Sequence, residues 1–496
     1  MLSKIRKLLL SPYYTFFIFV LSATAYVLGD GALIACMLLE AAIVALVLVL
    51  SDDLSPTLFP VLAVIVQGTT LIGRIEILNP YIPYGLILFP ALIAHLILYR
   101  RSFTVGITLN GVAATALAVL FSGLGNRENT DYRDPTAIYH ILAMSVGLVL
   151  LYFLFAFAVK RESKHDRMQR FLMTLCYVGA LCAVVIIYNF LKWFFGFADG
   201  SHVNDYYALI PYRNTIANIL TLCLPAPFFF AGYVMKHPVS HVGMFLVGCL
   251  FYSAMLMTVA RTAMLFGTVL LIICFIYYLR GKKEWYFKFT GILIVLIGLS
   301  VVAVSFYEPI LDLFGSRLEN GLASLDEPRW RLFLRSLTDF LEHPICGIGF
   351  ASSQNADIYA ADACITWYHL YFPQIWGSLG LLGCAAFGYQ LVLRAKLAFY
   401  KPNAATVAIA LCYLGLFLYS QTDPGEFAPI PFAALGILMF VLLEHRYETL
   451  EKHAARPDAS AFFRRAGKDR HSPRCLPRPP RRSRKCSRGT ESIEFF

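Results

Sequence analysis

The sequence predicts an all-α, polytopic membrane protein with roughly 12–14 transmembrane helices and one large loop near the C-terminal third. Hydrophobic residues make up 58% of its 496 positions, charged residues only 15%, and the mean hydropathy is +0.64. A soluble core could not bury that much apolar surface. Apolar runs long enough to cross a bilayer recur along nearly the whole chain. They are continuous rather than alternating, which favours helices over barrel strands.

Fourteen apolar runs are the candidate spans. They cover residues 11–28, 31–50, 55–74, 82–99, 103–122, 137–159, 171–195, 215–234, 240–260, 262–279, 287–307, 376–394, 404–421 and 426–444. The first run follows a charged head and resembles a signal peptide in outline. Because further spans follow and "ATA" is a weak cleavage site, we interpret it as a retained span.

Orientation follows from the basic loops, since Lys and Arg in short loops mark the cytoplasmic side. When the spans alternate, six basic segments share one side: residues 4–7, 99–102, 160–170, 280–288, 393–396 and 444–448. Both termini are then cytoplasmic. The opposite side receives residues 125–135, 196–214, the point around Arg261, the long stretch from about 308 to 375, and residues 421–427. Any chemistry is expected on that outer side.

Four segments organise the chain. They are an N-terminal transmembrane bundle (1–307), an outer loop with an amphipathic helix (308–375), C-terminal transmembrane helices (376–446) and a basic tail (447–496). From Lys452 onward the tail holds 13 Lys and Arg against four Asp and Glu, so most of the net charge of +11 lies there. This Pro-, Arg- and Ser-rich composition predicts a disordered cytoplasmic extension that touches anionic lipid headgroups rather than nucleic acid.

Neither a Walker-type phosphate loop nor a cytoplasmic loop long enough for a nucleotide-binding domain occurs, which argues against an ATP-driven pump. A transporter or flippase for lipid-linked glycans stays open as a different class. It predicts charges at the membrane midplane and internal repeats. The charged candidates described next lie at the outer face instead, and we find no repeat.

Two arginines stand out at the outer ends of spans. Arg261 lies between two apolar runs with almost no loop, where an unpaired guanidinium is costly to bury. It either anchors a tight turn at the headgroup level or binds an anion, since its planar fork of donors suits phosphate oxygens. Arg213 precedes another span on the same side. Its side chain either extends from the end of that span toward the membrane surface or serves as a second anion ligand. Asn214 and the following helix start could add backbone donors, which together indicate a diphosphate site.

The long outer loop predicts an amphipathic helix over residues 328–341, resting on the membrane surface. Its basic residues are substrate-binding candidates: Arg329, Arg331 and Arg335. Further along, Cys346 and Cys364 either form a disulfide that restrains the loop or remain free thiols.

Two titratable residues remain. Glu40, in the middle of an apolar run, either pairs with a buried donor or serves a catalytic or proton-relay role. His369 opens the run "TWYHLYFPQIWGSLGLLG", either as a helix cap at the interface or as a general base, because a neutral imidazole can accept a proton near pH 7.

The segment "HLYFPQIWGSLGLLG" resembles the His-bearing signature of the O-antigen ligases of Gram-negative bacteria: a His, a small polar residue, nine residues, then Gly-x-x-Gly. His369, Gly380 and Gly383 match this signature, whereas Leu370 stands where the family has a polar residue. Three further segments resemble family segments in the same order: "RNTIANILTLCLP", "ARTAMLFG" and "EHPICGIGF". The resemblance covers about residues 200–450.

The resemblance implies a multi-pass glycosyltransferase of the bacterial inner membrane that moves a polysaccharide from undecaprenyl diphosphate to lipid A-core on the periplasmic face. Arg213 and Arg261 would then hold the donor diphosphate, and His369 would act as general base on the acceptor hydroxyl. No metal, nucleotide or other cofactor is expected. An O-antigen polymerase and a protein O-oligosaccharyltransferase stay open as alternatives, because both would use the same donor chemistry.

Overall fold

A computed structural model describes residues 8–9, 11–71, 82–125, 135–161, 166–196, 206, 209–210, 212–281, 284–305, 328–350, 368–423 and 425–455. The regular structure of these residues is entirely helical. Residues Met1–His445 form one compact unit and Arg446–Phe496 a second. Cys364 and the basic tail beyond residue 455 lie outside the described residues, so the tail's disorder stays a prediction.

The helices of the N-terminal half are α1 (Pro12–Leu28), α2 (Asp30–Leu50), α3 (Leu58–Leu71), α4 (Ile82–Leu98), α5 (Ile107–Gly125), α6 (Pro135–Leu142), α7 (Leu148–Val159), α8 (Arg167–Gly196), α9 (Arg213–Cys223) and α10 (Pro225–Phe229). Those of the C-terminal half are α11 (Pro238–Met257), α12 (Arg261–Leu279), α13 (Trp285–Ser305), α14 (Pro328–Glu342), α15 (Tyr371–Phe399), α16 (Ala404–Ser420) and α17 (Ala434–Ala455). One π-helical turn joins α6 to α7 (Ala143–Gly147), and others follow α10 (Phe230–Val234) and precede α17 (Pro429–Ala433).

The chain is an all-α polytopic membrane protein. Eight helical segments among the described residues are long and apolar enough to cross a membrane, and six shorter apolar helices accompany them. Each of the fourteen apolar runs overlaps one of these helices. Apolar run length therefore predicted the positions of the helices, and eight of the helices in the described part of the chain also meet the length and composition of a span.

Helix α15 departs most from the simple span expected at residues 376–394. It begins earlier, at Tyr371, and breaks at Gly380, where φ is +62°. The rings of Tyr371 and Phe387 lie 6.2 Å apart, whereas sixteen residues of unbroken helix would separate them by about 24 Å. The two halves, 371–379 and 381–399, are therefore folded back on each other.

Both glycines of the signature serve this fold. Gly380 takes the left-handed conformation that a side chain disfavours. A Cβ on Gly383 would lie 3.1 Å from the carbonyl oxygen of Ile375, so its small size lets the halves of α15 approach closely.

The segment after α14 closes the break in α15. The amides of Ile348 and Gly349 donate to carbonyls of the first half, at 3.0 and 3.1 Å, and the amides of Leu381 and Leu382 donate back, to Pro344 at 2.8 Å and Ile345 at 3.1 Å. These bonds satisfy backbone groups that a broken helix would otherwise leave without partners. The "HPICGIG" and "GSLGLLG" segments are thus two sides of one backbone junction.

Glu40 pairs with neutral donors, as the structural alternative predicted. Its side chain is fully buried between α1, α2 and α3. It accepts hydrogen bonds from Ser22 at 2.5 Å and from Gln67 at 3.3 Å, with the Cys36 thiol at 3.6 Å. These contacts give the buried carboxyl group of Glu40 hydrogen-bond partners within the helix bundle.

Candidate functional site

Three arginines line one cavity of about 180 Å³. Arg213 is the first residue of α9, Arg261 is the first of α12, and Arg329 is the second of α14. The cavity is completed by Asn214, Val259, Ala260 and Thr262. Because the N-terminal end of a helix carries a partial positive charge and free amides, three such ends and three guanidiniums favour an anion. The structure thus brings together four of the residues that the sequence singled out.

A tight turn presents Arg261 to this cavity. Val259 has φ of +54°, which is rare for a β-branched residue, and it reverses the chain between α11 and α12. The hydroxyl of Thr258 stabilises the turn, donating to the Met255 carbonyl at 2.7 Å and accepting from the Ala260 amide at 3.3 Å. Such local strain at a non-glycine residue is typical of functional sites.

His369 lies two residues before the start of α15, and it too has a left-handed backbone, with φ of +52°. Burial, together with the nearby positive charge of Arg329, lowers the pKa of its imidazole to about 4. The ring is therefore neutral at pH 7 and able to accept a proton. Arg329 links the two parts of the site, because it lines the arginine cavity and acts on the imidazole.

Tyr368, the residue before His369, is fixed by hydrogen bonds at its backbone amide and at its side-chain hydroxyl. Tyr368 is fully buried, its amide donates to the Gln374 side chain at 2.9 Å, and its hydroxyl donates to Asp339 of α14 at 2.5 Å. Gln374 in turn donates to Ser378 at 2.7 Å.

Leu370 occupies the N-cap position of α15, where it offers no side-chain hydrogen bond. The polar contact near this position comes from Gln374, one helical turn further along, whose side chain accepts a hydrogen bond from the Tyr368 amide. That side chain ties the segment carrying His369 to the first half of α15.

Asp423 is a candidate that sequence reasoning did not single out. Burial raises the pKa of its carboxyl to about 6, against the opposing influence of Arg329. The adjacent Thr422 hydroxyl lies 2.5 Å from the hydroxyl of Thr262, which lines the cavity. The only available signal was an acidic residue in a short outer loop, and many surface loops share it.

Arg331 and Arg335 do not line the arginine cavity. Arg331 is exposed on α14. Arg335 pairs with Asp339 at 3.2 Å. Asp339 also accepts a hydrogen bond from Tyr368, the residue before His369. Their assignment as substrate-binding residues stays a prediction. Cys346 carries a free thiol, and its expected disulfide partner Cys364 lies outside the described residues.

Comparison with known families assigns the region around this site. Residues 244–388 match the family model described as O-antigen ligase. This match supports the resemblance to the O-antigen ligase family for that region. The match contains Arg261, Arg329 and His369, whereas Arg213 precedes it. No curated protein matches the chain.

The match to the O-antigen ligase family model fits the site geometry. The matched residues include both sides of the junction at Gly380 and the turn that presents Arg261. The match supports an O-antigen ligase or polymerase-like membrane enzyme of the glycosyltransferase kind.

Proposed function

We propose that this protein is an O-antigen ligase of the bacterial inner membrane. It transfers a polysaccharide from undecaprenyl diphosphate to lipid A-core on the periplasmic face, without a metal or a nucleotide. The observation that supports this most is the cavity shared by Arg213, Arg261 and Arg329, with His369 within electrostatic reach of Arg329. A diphosphate is an anion of the charge and shape that such a site favours.

The three guanidiniums stabilise the leaving group. In the transfer, an acceptor hydroxyl attacks the anomeric carbon of the donor sugar, and the bond from that carbon to the diphosphate oxygen breaks. Undecaprenyl diphosphate departs with the electron pair, so negative charge develops on its bridging oxygen. Preorganised cations at that position lower the barrier, because they need no reorganisation during the reaction.

His369 takes the proton of the acceptor hydroxyl. Its imidazole is neutral before the donor binds, which is the form that a general base requires. A bound diphosphate would offset the charge of Arg329 and so raise the pKa of His369. The base therefore becomes stronger when the donor is in place, and the protonated ring then lies next to the anionic leaving group.

Helix α14 offers a surface for the acceptor. Its exposed large apolar residues recur at helical spacing along one stripe: Trp330, Leu334, Leu337 and Leu341. Arg331 and Arg335 lie on the same helix, and an exposed apolar stripe flanked by basic residues is typical of a helix in the membrane interface. A lipid acceptor carrying phosphate groups would find both its acyl and its anionic contacts there.

Reconstitution tests the proposal directly. Purified protein, with undecaprenyl-diphosphate-linked glycan and lipid A-core in vesicles, should join the two without nucleotide and in the presence of a metal chelator. The matched control is Arg261→Ala in the same vesicles. If transfer requires a divalent ion or a nucleotide, or proceeds equally well with the control variant, the proposed mechanism is wrong.

Lipopolysaccharide gels of a deletion strain identify the acceptor. Free core together with accumulated lipid-linked polymer supports a ligase. Core that bears one repeat unit indicates a polymerase. An intact ladder excludes both and favours a protein O-oligosaccharyltransferase, which glycoprotein staining of periplasmic extracts would test.

A further inference from the structure

The loop between α16 and α17 carries a buried ion pair. Glu426 is 5% exposed, and both of its carboxylate oxygens accept from the Arg394 guanidinium of α15, at 2.8 and 3.0 Å. Arg394 also donates to the Tyr413 hydroxyl of α16 at 2.5 Å. The Glu426 amide donates to the hydroxyl of Ser420 at 3.1 Å. The loop segment is thus fixed inside the bundle by charge-assisted bonds to α15 and by a neutral hydrogen bond to the end of α16.

The next residue, Phe427, packs between the two halves of the broken helix α15. Its ring lies 5.6 Å from that of Tyr371 in the first half and 5.4 Å from that of Phe387 in the second half. The ring of Phe350, from the segment that closes the junction, is 6.2 Å away. Tyr371 is two residues from His369, so Phe427 packs against the start of the first half of α15, next to the segment that carries His369.

The same loop reaches the arginine cavity. Thr422 bonds to Thr262 of the cavity lining, and Asp423 interacts electrostatically with Arg329. Residues 421–423 therefore contact the anion site, and residues 425–427 pack against the helix half that follows His369.

We infer that Arg394 and Glu426 are positioning residues for glycan transfer, which they serve by fixing loop 421–427 between the arginine cavity and the helix half that follows His369. The inference rests on the proposed function. Burying two charges is costly, and apolar residues of similar size would stabilise a bundle as well. What the pair adds is directional bonding, which holds a loop in one position.

A matched pair of variants tests this role. Glu426→Gln leaves the buried Arg394 without its counter-charge, and Glu444→Gln does the same to Lys160, whose side chain is 3% exposed, in the other buried pair. Each purified variant is measured for thermal midpoint, for binding of undecaprenyl diphosphate, and for single-turnover transfer in vesicles. Phe427→Leu is the second test variant, since it leaves both ion pairs intact.

Both glutamine variants should lose thermal stability. Only Glu426→Gln should also lose transfer, by about 10²-fold, because a misplacement of about 1 Å at reacting groups has that effect. Its affinity for undecaprenyl diphosphate should stay within about threefold, since all three cavity arginines remain. Phe427→Leu should show the same split between binding and transfer.

Three results would overturn the inference: normal transfer by Glu426→Gln, an equal loss of transfer by Glu444→Gln, or normal transfer by Phe427→Leu should Glu426→Gln fail to fold. Loss of diphosphate affinity with unchanged single-turnover transfer at saturation would also overturn it, by assigning the pair to donor binding. Failure of the proposed function is distinguishable, because the wild-type protein itself would then transfer no glycan to lipid A-core in the same vesicles.

Discussion

The two ends of helix α5 differ in the side chains that surround them and in whether the charged groups there are paired with each other. Near its N-terminal end, the Thr108 amide donates to Glu444 at 2.8 Å, and Glu444 pairs with Lys160. Near its C-terminal end, about 21 Å away by helical rise, the Ser122 hydroxyl donates to the carbonyls of Cys346 and Ser378 at the junction of α15. The first end lies against a closed ion-pair cluster, and the second supports the candidate active site.

At the first end, cations meet carboxylates directly. Lys160 pairs with Glu444, and Arg161 bonds to Asp52 at 2.6 Å. At the site, three arginines surround one cavity, and Asp423 acts electrostatically on Arg329. Guanidiniums that converge on an open volume favour an anionic ligand, whereas matched pairs in packed surroundings indicate structure. The same types of charged residue therefore serve ligand binding at the cavity and stability at the ion pairs.

Replacing the proposed base should have the largest effect on transfer. His369→Ala removes proton acceptance from the hydroxyl, and we expect a loss of about 10²–10⁴-fold in single-turnover transfer. Affinity for undecaprenyl diphosphate should change little, because the arginine cavity is intact. The protein should remain in the membrane fraction with an unchanged thermal midpoint. Near-normal transfer would remove the general-base role but not the fold.

Removing one cavity arginine should come next. Arg213→Ala and Arg261→Ala should each reduce transfer by on the order of 10²–10³-fold, because a preorganised contact to the leaving group is lost. Arg261→Lys should also fail where bidentate geometry matters. Unlike His369→Ala, these variants should bind undecaprenyl diphosphate weakly, as measured in vesicles. Unchanged diphosphate affinity in both alanine variants would contradict the assignment of the anion site.

The sequence predicted much of this arrangement. Apolar runs located the helices, and the alternation of spans placed Arg213 and Arg261 on one side, where the structure has them lining one cavity. Both predictions rest on local composition and on bilayer thickness, which act along the whole chain. The family signature was also recognisable from residue spacing.

Long-range packing determined what the sequence left open. The break at Gly380 is invisible in hydropathy, since both halves of α15 are apolar, and it is stabilised by amides more than thirty residues earlier in the chain. Asp423 gains its role from burial near Arg329, and Arg335 faces Asp339 rather than the cavity. Such contacts depend on how elements that are distant in sequence pack.

Arg329→Gln should shift the pH dependence with a smaller loss of rate. Burial and the charge of Arg329 both lower the pKa of His369. Without that charge the pKa should rise toward the ordinary imidazole value of about 6.5. Because a base must be unprotonated, the acid limb of kcat/KM should move to higher pH, and the variant should lose activity at a pH where the wild type retains it.

The matched control for this shift is Arg331→Gln, an exposed residue of the same helix, measured between about pH 4 and 8. It should leave the acid limb in place whatever it does to acceptor affinity. An acid limb that moves equally in both variants would indicate a general charge effect of α14 instead of a specific influence of Arg329.

The smallest effect on transfer is expected at the opposite end of α5. Lys160→Met leaves Glu444 buried without its counter-charge, and breaking a buried pair in this way costs about 3–5 kcal/mol in the free energy of unfolding. The thermal midpoint should therefore fall clearly, while single-turnover transfer at a temperature below the midpoint should stay within about threefold of wild type. A large loss of transfer by folded Lys160→Met would mean that the two ends are coupled through α5, and the separation of structural from functional charge would not hold.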